Sequence, residues 1–486
     1  MTASPRLGAA TLSCLPADVA RPAYPAAAAT IGVVHLGVGN FFRAHQAIYL
    51  DEAMARGAAG WGICGVSLRS PVTRNALAPQ DGYYAVAELD GTQSRLRIVG
   101  SLRELLVAPE EPQRVVERIA APDTCWVTLT VTEKGYGLEP DHPDLEHDRR
   151  HPDRPRSAVG LLHAAALRRR DRGLPGITVA SCDNLAGNGH TLRRLLLEYD
   201  TAIGAGAAGW IEASLRFPNS MVDRIVPRTT DDDRGRIRAA LGVEDAWPVL
   251  TEPFSQWVLE EDFAGPRPPL EASGARVVRD VRPHEAMKLR LLNAAHSALA
   301  WLAVPAGIET VERAVSEPGL RRFVERLWQD EAIPGLDAEH PEIGQEAPGY
   351  CHDLLLRFAN PGLAHRTAQI AMDGSQKLPL RILPSIRRNL AEGLPIDRLA
   401  LVVAAWVRYL HGIGERGEDH AVDDPAAGRL RQLAANPNGR DAIAAVMADS
   451  AIFGDLAAEP RLQAAAADGL ERLRRAGSLA VVAGMS

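Results

Sequence analysis

One apolar stretch holds the side chains best suited to chemistry: Met287-Lys288-Leu289-Arg290-Leu291-Leu292-Asn293-Ala294-Ala295-His296. It continues as Ser297-Ala298-Leu299-Ala300-Trp301-Leu302 and reads as the start of one long oily helix. Helical spacing sets Lys288 and His296 two turns apart and about 80° round the axis. Asn293 and His296 are i,i+3 neighbours. A buried ammonium must lose its charge or find a partner, because desolvation disfavours the charged form. A lysine depressed in that way is a general base near neutral pH. The structural alternative is a Lys288 that snorkels to water and a satisfied core histidine at 296.

Elements that could position such a set lie upstream. Ile31-Gly32-Val33-Val34-His35-Leu36 reads as a buried strand running into Gly37-Val38-Gly39-Asn40-Phe41-Phe42, with a helix through Ala47–Ala53. Strand, glycine turn and helix are the context of the dinucleotide fingerprint. Gly37 would make the tight turn, and Gly39 would admit a pyrophosphate at the helix start, with Asn40 and Phe41 beside it. Phe42 stands where the usual third glycine would be, which holds the helix further from the strand. The alternative is a merely structural βα turn.

A second strand, Trp61–Leu68, ends in Arg69-Ser70-Pro71-Val72-Thr73-Arg74. An acid there would favour NAD; Arg69 or Arg74 could instead pair a 2′-phosphate, so NADP stays open beside NAD. A hairpin over Tyr83–Ala87 and Leu96–Val99 follows. The strand Cys125–Val131 ends in Thr132-Glu133-Lys134-Gly135-Tyr136, and the strand Gly176–Ser181 ends in Cys182-Asp183-Asn184. Open α/β sheets bind ligands at such carboxyl edges. Residues 138–156 read as a surface excursion. Phe217–Pro227 reads as a loop in which Asp223 and Arg224 could form an ion pair.

The alternation predicts an α/β fold, a Rossmann-like doubly wound sheet over residues 1–281 behind an irregular N-terminal arm. Residues 282–486 read as an all-α second domain. Within it Pro334–Pro348 reads as a surface loop, and Asp373-Gly374-Ser375-Gln376-Lys377 as a helix stop that holds Lys377 beside a glycine turn.

Composition narrows the function. The chain has 486 residues, 46% hydrophobic and 24% charged, with a net charge of −7. No basic tract suggests nucleic acid or an anionic membrane as partner. No apolar run reaches the ~18 residues of a membrane span, and no signal peptide is read, so a cytoplasmic location is expected. Five scattered cysteines without a C-x-x-C pair suggest neither a disulfide scaffold nor a zinc site. Neither a Gly-x-Ser-x-Gly elbow, a P-loop nor a His-Glu-x-x-His is found. A nucleotide fold with a Lys/Asn/Asn/His set suits a dehydrogenase without a metal: a neutral lysine takes a hydroxyl proton and amides cradle the oxygen. The competing class is a non-catalytic nucleotide-binding sensor.

The motifs also resemble a known family, the long-chain mannitol dehydrogenases and their fructuronate reductase branch. The resemblance spans nearly the whole chain. It rests on Val34–Gly39, Phe42-Arg43-Ala44-His45-Gln46-Ala47, Thr130–Tyr136, Ser181–Asn184, Met221-Val222-Asp223-Arg224-Ile225, the Lys288/Asn293/His296 helix and Asp373–Lys377. It implies Lys288 as general base, Asn184 and Asn293 as the oxyanion hole, and substrate contacts from His296, Asp223 and Lys377. It implies no metal. The expected partner is a sugar alcohol and its ketose, or an aldonate and its ketouronate, handled by a monomer or small homo-oligomer. Gln369 and Lys134 resemble the fructuronate branch, while Gly37–Phe41 resembles the mannitol branch. D-Mannitol/D-fructose is the first expectation and D-mannonate/D-fructuronate the second. A carboxylate on the second pair would need a cation, for which Lys377 and Lys134 are the candidates.

Overall fold

The computed structural model describes residues 5–131, 136 and 142–485. The chain divides into two compact units, Met1–Arg282 and Pro283–Ser486. The strands of the first unit are β1 (Ile31–Leu36), β2 (Gly62–Ser67), β3 (Tyr84–Asp90), β4 (Gln93–Val99), β5 (Leu102–Val107), β6 (Trp126–Leu129), β7 (Thr178–Ser181), β8 (Ser220–Asp223), β9 (Val249–Thr251), β10 (Gln256–Glu260) and β11 (Arg276–Val278).

The central sheet has the order β5-β2-β1-β6-β7, and every pair in it is parallel. Parallel sheets need cover on both faces, so their strands are apolar throughout. Accordingly β2, β6 and β7 are buried along their whole length. The helices Pro112–Ile119, Ala158–Asp171 and Asn188–Ile203 contribute to the core on one side. The hairpin β3–β4 joins β9 in a small separate sheet, β4-β3-β9. Leu7, Leu15 and Val19 of the N-terminal arm pack against that sheet.

One expectation for this unit needs correction. Ser220–Asp223 is a strand, not a loop; it pairs antiparallel with β10, Asp223 opposite Gln256. Arg224 pairs with Glu88 at 2.7 Å. The surface excursion contains a helix, Pro143–Arg150, entered through a proline at its first turn.

Beyond residue 282 every element is helical except isolated bridges, among the described residues. The expected loop at 334–348 is instead helical: Ile333–Glu339, Pro341–Gly344 and the start of Ala347–Phe358. Each of these carries its proline at the first or second position, where a missing N–H costs nothing. The Asp373 segment directly follows the end of one helix, Thr367–Ala371, as expected. It opens a helix, Gly374–Arg381, with Asp373 held left-handed at φ 54°. No helix among the described residues is long and apolar enough to cross a membrane.

Candidate active site

The first βα turn is built as the glycines require. Gly37 has φ +102°, and a Cβ there would lie 2.3 Å from Thr130 O. Gly39 is different: a Cβ on it meets nothing closer than 4.0 Å, so open space lies over it. The helix starts earlier than expected, with α1 (Asn40–Ala44) capped by Gly39, then breaks at His45 before α2 (Gln46–Ala55). Phe42 occupies the third-glycine position by lying flat on His35, ring centroids 3.5 Å apart. His35 is wholly buried; Nδ1 bonds Thr128 Oγ1 at 2.8 Å, and Nε2 bonds Thr130 Oγ1 at 2.9 Å. Burial pushes its pKa down to about 3, so it stays neutral. Asn40 Oδ1 accepts from Arg43 Nη2 at 2.6 Å, and Phe41 stacks on His45 at 5.0 Å. The turn thus leaves backbone and space at Gly39, which fits a pyrophosphate.

At the end of β2, Arg74 is ion-paired with Glu110. Arg69 is exposed and lines a cavity of about 600 Å³ with Arg154, Arg156, His147 and His151. Asn184 is exposed just beyond β7. Its loop is braced on both sides. Tyr136 donates to Asp183 Oδ2 at 2.7 Å, and Asn188 Nδ2 donates to Asp183 O at 2.9 Å and Ser220 O at 2.8 Å. Asp223 is buried at the end of β8. Lys134 lies outside the described residues.

The Lys288 stretch is not one continuous α-helix. Arg282–Met287 is α, Lys288–Asn293 is π and Ala294–Ala303 is α again. The Ala294 N–H reaches back five residues to Leu289 O. This changes the faces. In a continuous α-helix Lys288 and Asn293 would stand about 140° apart. One extra residue in the turn removes about 100° of that, which brings Asn293 over Lys288 and nearly aligns Lys288 with His296. π-Turns of this kind recur at functional sites.

All three side chains are buried. Asn293 Nδ2 and His296 Nε2 are sealed from solvent yet have no hydrogen-bond partner among the described residues. Buried donors of this sort are rare, and each calls for a ligand or a reason. His296 stacks on Phe358 at 4.3 Å and meets His365 edge-on at 5.5 Å. Burial first, and then the fields of His365, Arg357, Arg381 and Lys377, hold the His296 pKa well below its usual value. Trp328, itself in a second π-turn (Leu327–Ala332), donates Nε1 to Leu291 O at 3.0 Å. Arg290 pairs with Glu339 at 2.6 Å.

Lys377 lies inside the Gly374–Arg381 helix. Its Nζ donates to Ile370 O at 3.1 Å and Met372 O at 2.5 Å. Burial, then the charge of Arg381, pushes its pKa down to about 8. Gly374 is fixed by contact: a Cβ there would lie 2.1 Å from Trp406 Nε1. Ser375 N and Oγ both bond Asp424, at 2.7 Å each. Sequence reasoning missed Arg381, one turn beyond Lys377, although the i,i+4 spacing was there to be read. It also missed His365, whose Nδ1 is another buried atom without a partner.

The first unit carries a nucleotide-type turn, and the second a lysine, an amide and an imidazole on one helix; the class shown for such a chain is a nucleotide-dependent oxidoreductase. Two family descriptions match in series: the mannitol dehydrogenase Rossmann domain over residues 31–272 and the mannitol dehydrogenase C-terminal domain over 280–474. The chain belongs to the mannitol dehydrogenase family. It is 39% identical to a mannitol 2-dehydrogenase of Phaeosphaeria nodorum, over 96% of this chain and 83% of the relative. It is 40% identical to a D-mannonate oxidoreductase of Escherichia coli, over 90% and 92%. A solved Pseudomonas fluorescens mannitol 2-dehydrogenase, in ternary complex with NAD and D-mannitol, superposes with a TM-score of 0.87. It is 36% identical and covers 99% of both chains. A substrate-free D-sorbitol dehydrogenase superposes at 0.90, with 32% identity over 98% and 100%.

Proposed function

We propose that the chain is a metal-independent, NAD-dependent dehydrogenase that oxidises a secondary carbinol of an acyclic six-carbon polyol to the ketone. The observation that carries this is the buried Asn293 Nδ2, without a partner among the described residues, on the helix face that the π-turn shares with Lys288. Lys288, neutral, takes the hydroxyl proton as the alcohol is oxidised and returns it in the reverse direction. Asn184 and Asn293 hold the oxygen as it becomes a carbonyl. The nicotinamide, when bound, accepts the hydride that leaves the same carbon. His296, neutral, hydrogen-bonds a neighbouring substrate hydroxyl through Nε2, and Asp223 and Lys377 add further substrate contacts. Gly37, Gly39, Asn40 and Phe41 form the cofactor turn. Arg69, exposed just beyond β2 among other cations, would pair a 2′-phosphate, which supports NADP as a second cofactor.

D-Mannitol and D-fructose are the pair that most of the relatives' names support. D-Mannonate and D-fructuronate form a second pair, supported by Gln369 and by the cations beside His296. Mixing protein, NAD⁺ and either alcohol, and following absorbance of the reduced cofactor, tests the reading. No turnover with either pair would leave the nucleotide-binding sensor as the better account.

A further inference from the structure

We infer that Arg381 is the specificity-determining cation of this site, and that it receives the terminal carboxylate of an aldonate or ketouronate. The inference rests on the dehydrogenase reading above and names the substrate class it favours.

Arg381 closes the Gly374–Arg381 helix and lies against the helix that follows the π-turn. Its Nη1 donates to Ser297 Oγ at 3.1 Å and lies 3.5 Å from Asn293 O. Asn293 and Ser297 are i,i+4 neighbours, so the guanidinium sits about one 5.4 Å turn along the same face from the amide that would hold the reacting oxygen. A carboxylate at the far end of a six-carbon chain needs a receptor displaced from the carbinol in just this sense.

The charge balance supports the assignment. Arg381 has no carboxylate partner among the described residues. A guanidinium removed from water without an anion is costly, and a bidentate carboxylate is the partner its planar fork fits best. Its N–H groups other than Nη1 have no protein partner among the described residues. Asp424, whose field reaches Lys377 and is not felt at Arg381, is already bonded twice by Ser375. Lys377, the cation first expected in this role, gives hydrogens to two backbone carbonyls and acts more as a brace for residues 370–372. A neutral hexitol would leave Arg381 with hydroxyls only; a carboxylate would neutralise it.

The test compares kcat/KM for D-fructose and D-fructuronate with NADH in wild type, Arg381→Gln and Arg381→Lys. Calorimetric binding of D-mannitol and D-mannonate is measured beside it. Wild type is expected to prefer the charged ketose, which would put the second pair named above ahead of the pair that most of the relatives' names support. Arg381→Gln is expected to lose at least about 10-fold on fructuronate and mannonate, the scale of one charge-assisted hydrogen bond, while fructose and mannitol change little. Arg381→Lys, which keeps the charge, is expected to recover part of the preference and to reveal any general folding defect. A wild type that prefers fructose, or a Gln variant that weakens both classes equally, would overturn the role of Arg381. Selective loss of mannonate binding without turnover of any substrate would keep the role and sink the dehydrogenase reading instead.

Discussion

Two buried histidines divide the molecule usefully. His35, near the end of β1, and His296, on the helix that follows the π-turn, are both in ring stacks and both held neutral by burial. By exposure and by pKa direction they look alike. Their hydrogen bonds separate them. His35 uses both ring nitrogens on neighbours, whereas His296 keeps a buried Nε2 without a partner among the described residues. Burial is thus common to both, and the unused Nε2 of His296 is what a substrate hydroxyl would take up. The same contrast runs between the two units. The glycine turn presents backbone and open space to a ligand, while the π-turn presents side chains.

The largest effect that would test this contrast is at Lys288. Lys288→Ala should lower kcat by ~10²–10⁴-fold, the span of a general base, with cofactor binding by fluorescence unchanged. In wild type the pH profile of kcat should carry no limb from His296, which is already neutral. Full activity in the Ala variant would remove Lys288 from the chemistry. Next come the amides. Asn293→Ala or Asn184→Ala should each cost on the order of 10²-fold in kcat, as single oxyanion donors do, and a chelator should cost nothing. Recovery of a chelated enzyme by zinc would argue for a different electrophile.

A smaller effect separates the two glycines. Gly37→Ala should destabilise the fold, because its Cβ would enter Thr130 O at a positive φ. Gly39→Ala should leave thermal stability alone and weaken NAD binding several-fold, since its Cβ meets only open space. Equal loss of stability in both variants would show that Gly39 is structural too. The histidines supply the smallest and slowest test. The unfolded chain protonates His35 below about 6.5, and the native state does so only near 3. Its contribution to stability therefore declines as pH falls through that window. Denaturant midpoints should drop between pH 7 and 5, and by less in a variant with Gln at position 35. A flat midpoint in wild type would contradict a neutral buried ring.

Much of this was legible beforehand, for stated reasons. Parallel strands buried on both faces are apolar runs, so β1, β2, β6 and β7 could be read directly. Gly37 and Gly39 were readable because only special backbone or close approach demands them there. The strand Ser220–Asp223 was not, since four residues behind a Pro-Asn pair look like a turn. Helix Ile333–Glu339 was hidden by Pro334, which breaks helices in the middle but not at their start. The π-turn was invisible in principle, because helical periodicity assumes one fixed twist. Leu289, Leu291 and Leu292 satisfy either register. Trp328 shows what holds the chosen one: its indole takes a carbonyl inside the π-turn.

That extra residue has a consequence for how this chain can change over generations. A substitution within 288–293 alters one side chain. The loss of a single codon there would let the turn relax to α while the downstream helix stayed in phase with Lys288, because the π-turn absorbs one residue. Relaxation to α with no residue lost would instead rotate everything downstream by about 100°, and Asn293 and His296 would swing off the face of the lysine although their identities survived. A relative with one residue fewer between Lys288 and Asn293 should therefore show a plain α-helix there and the same polar face.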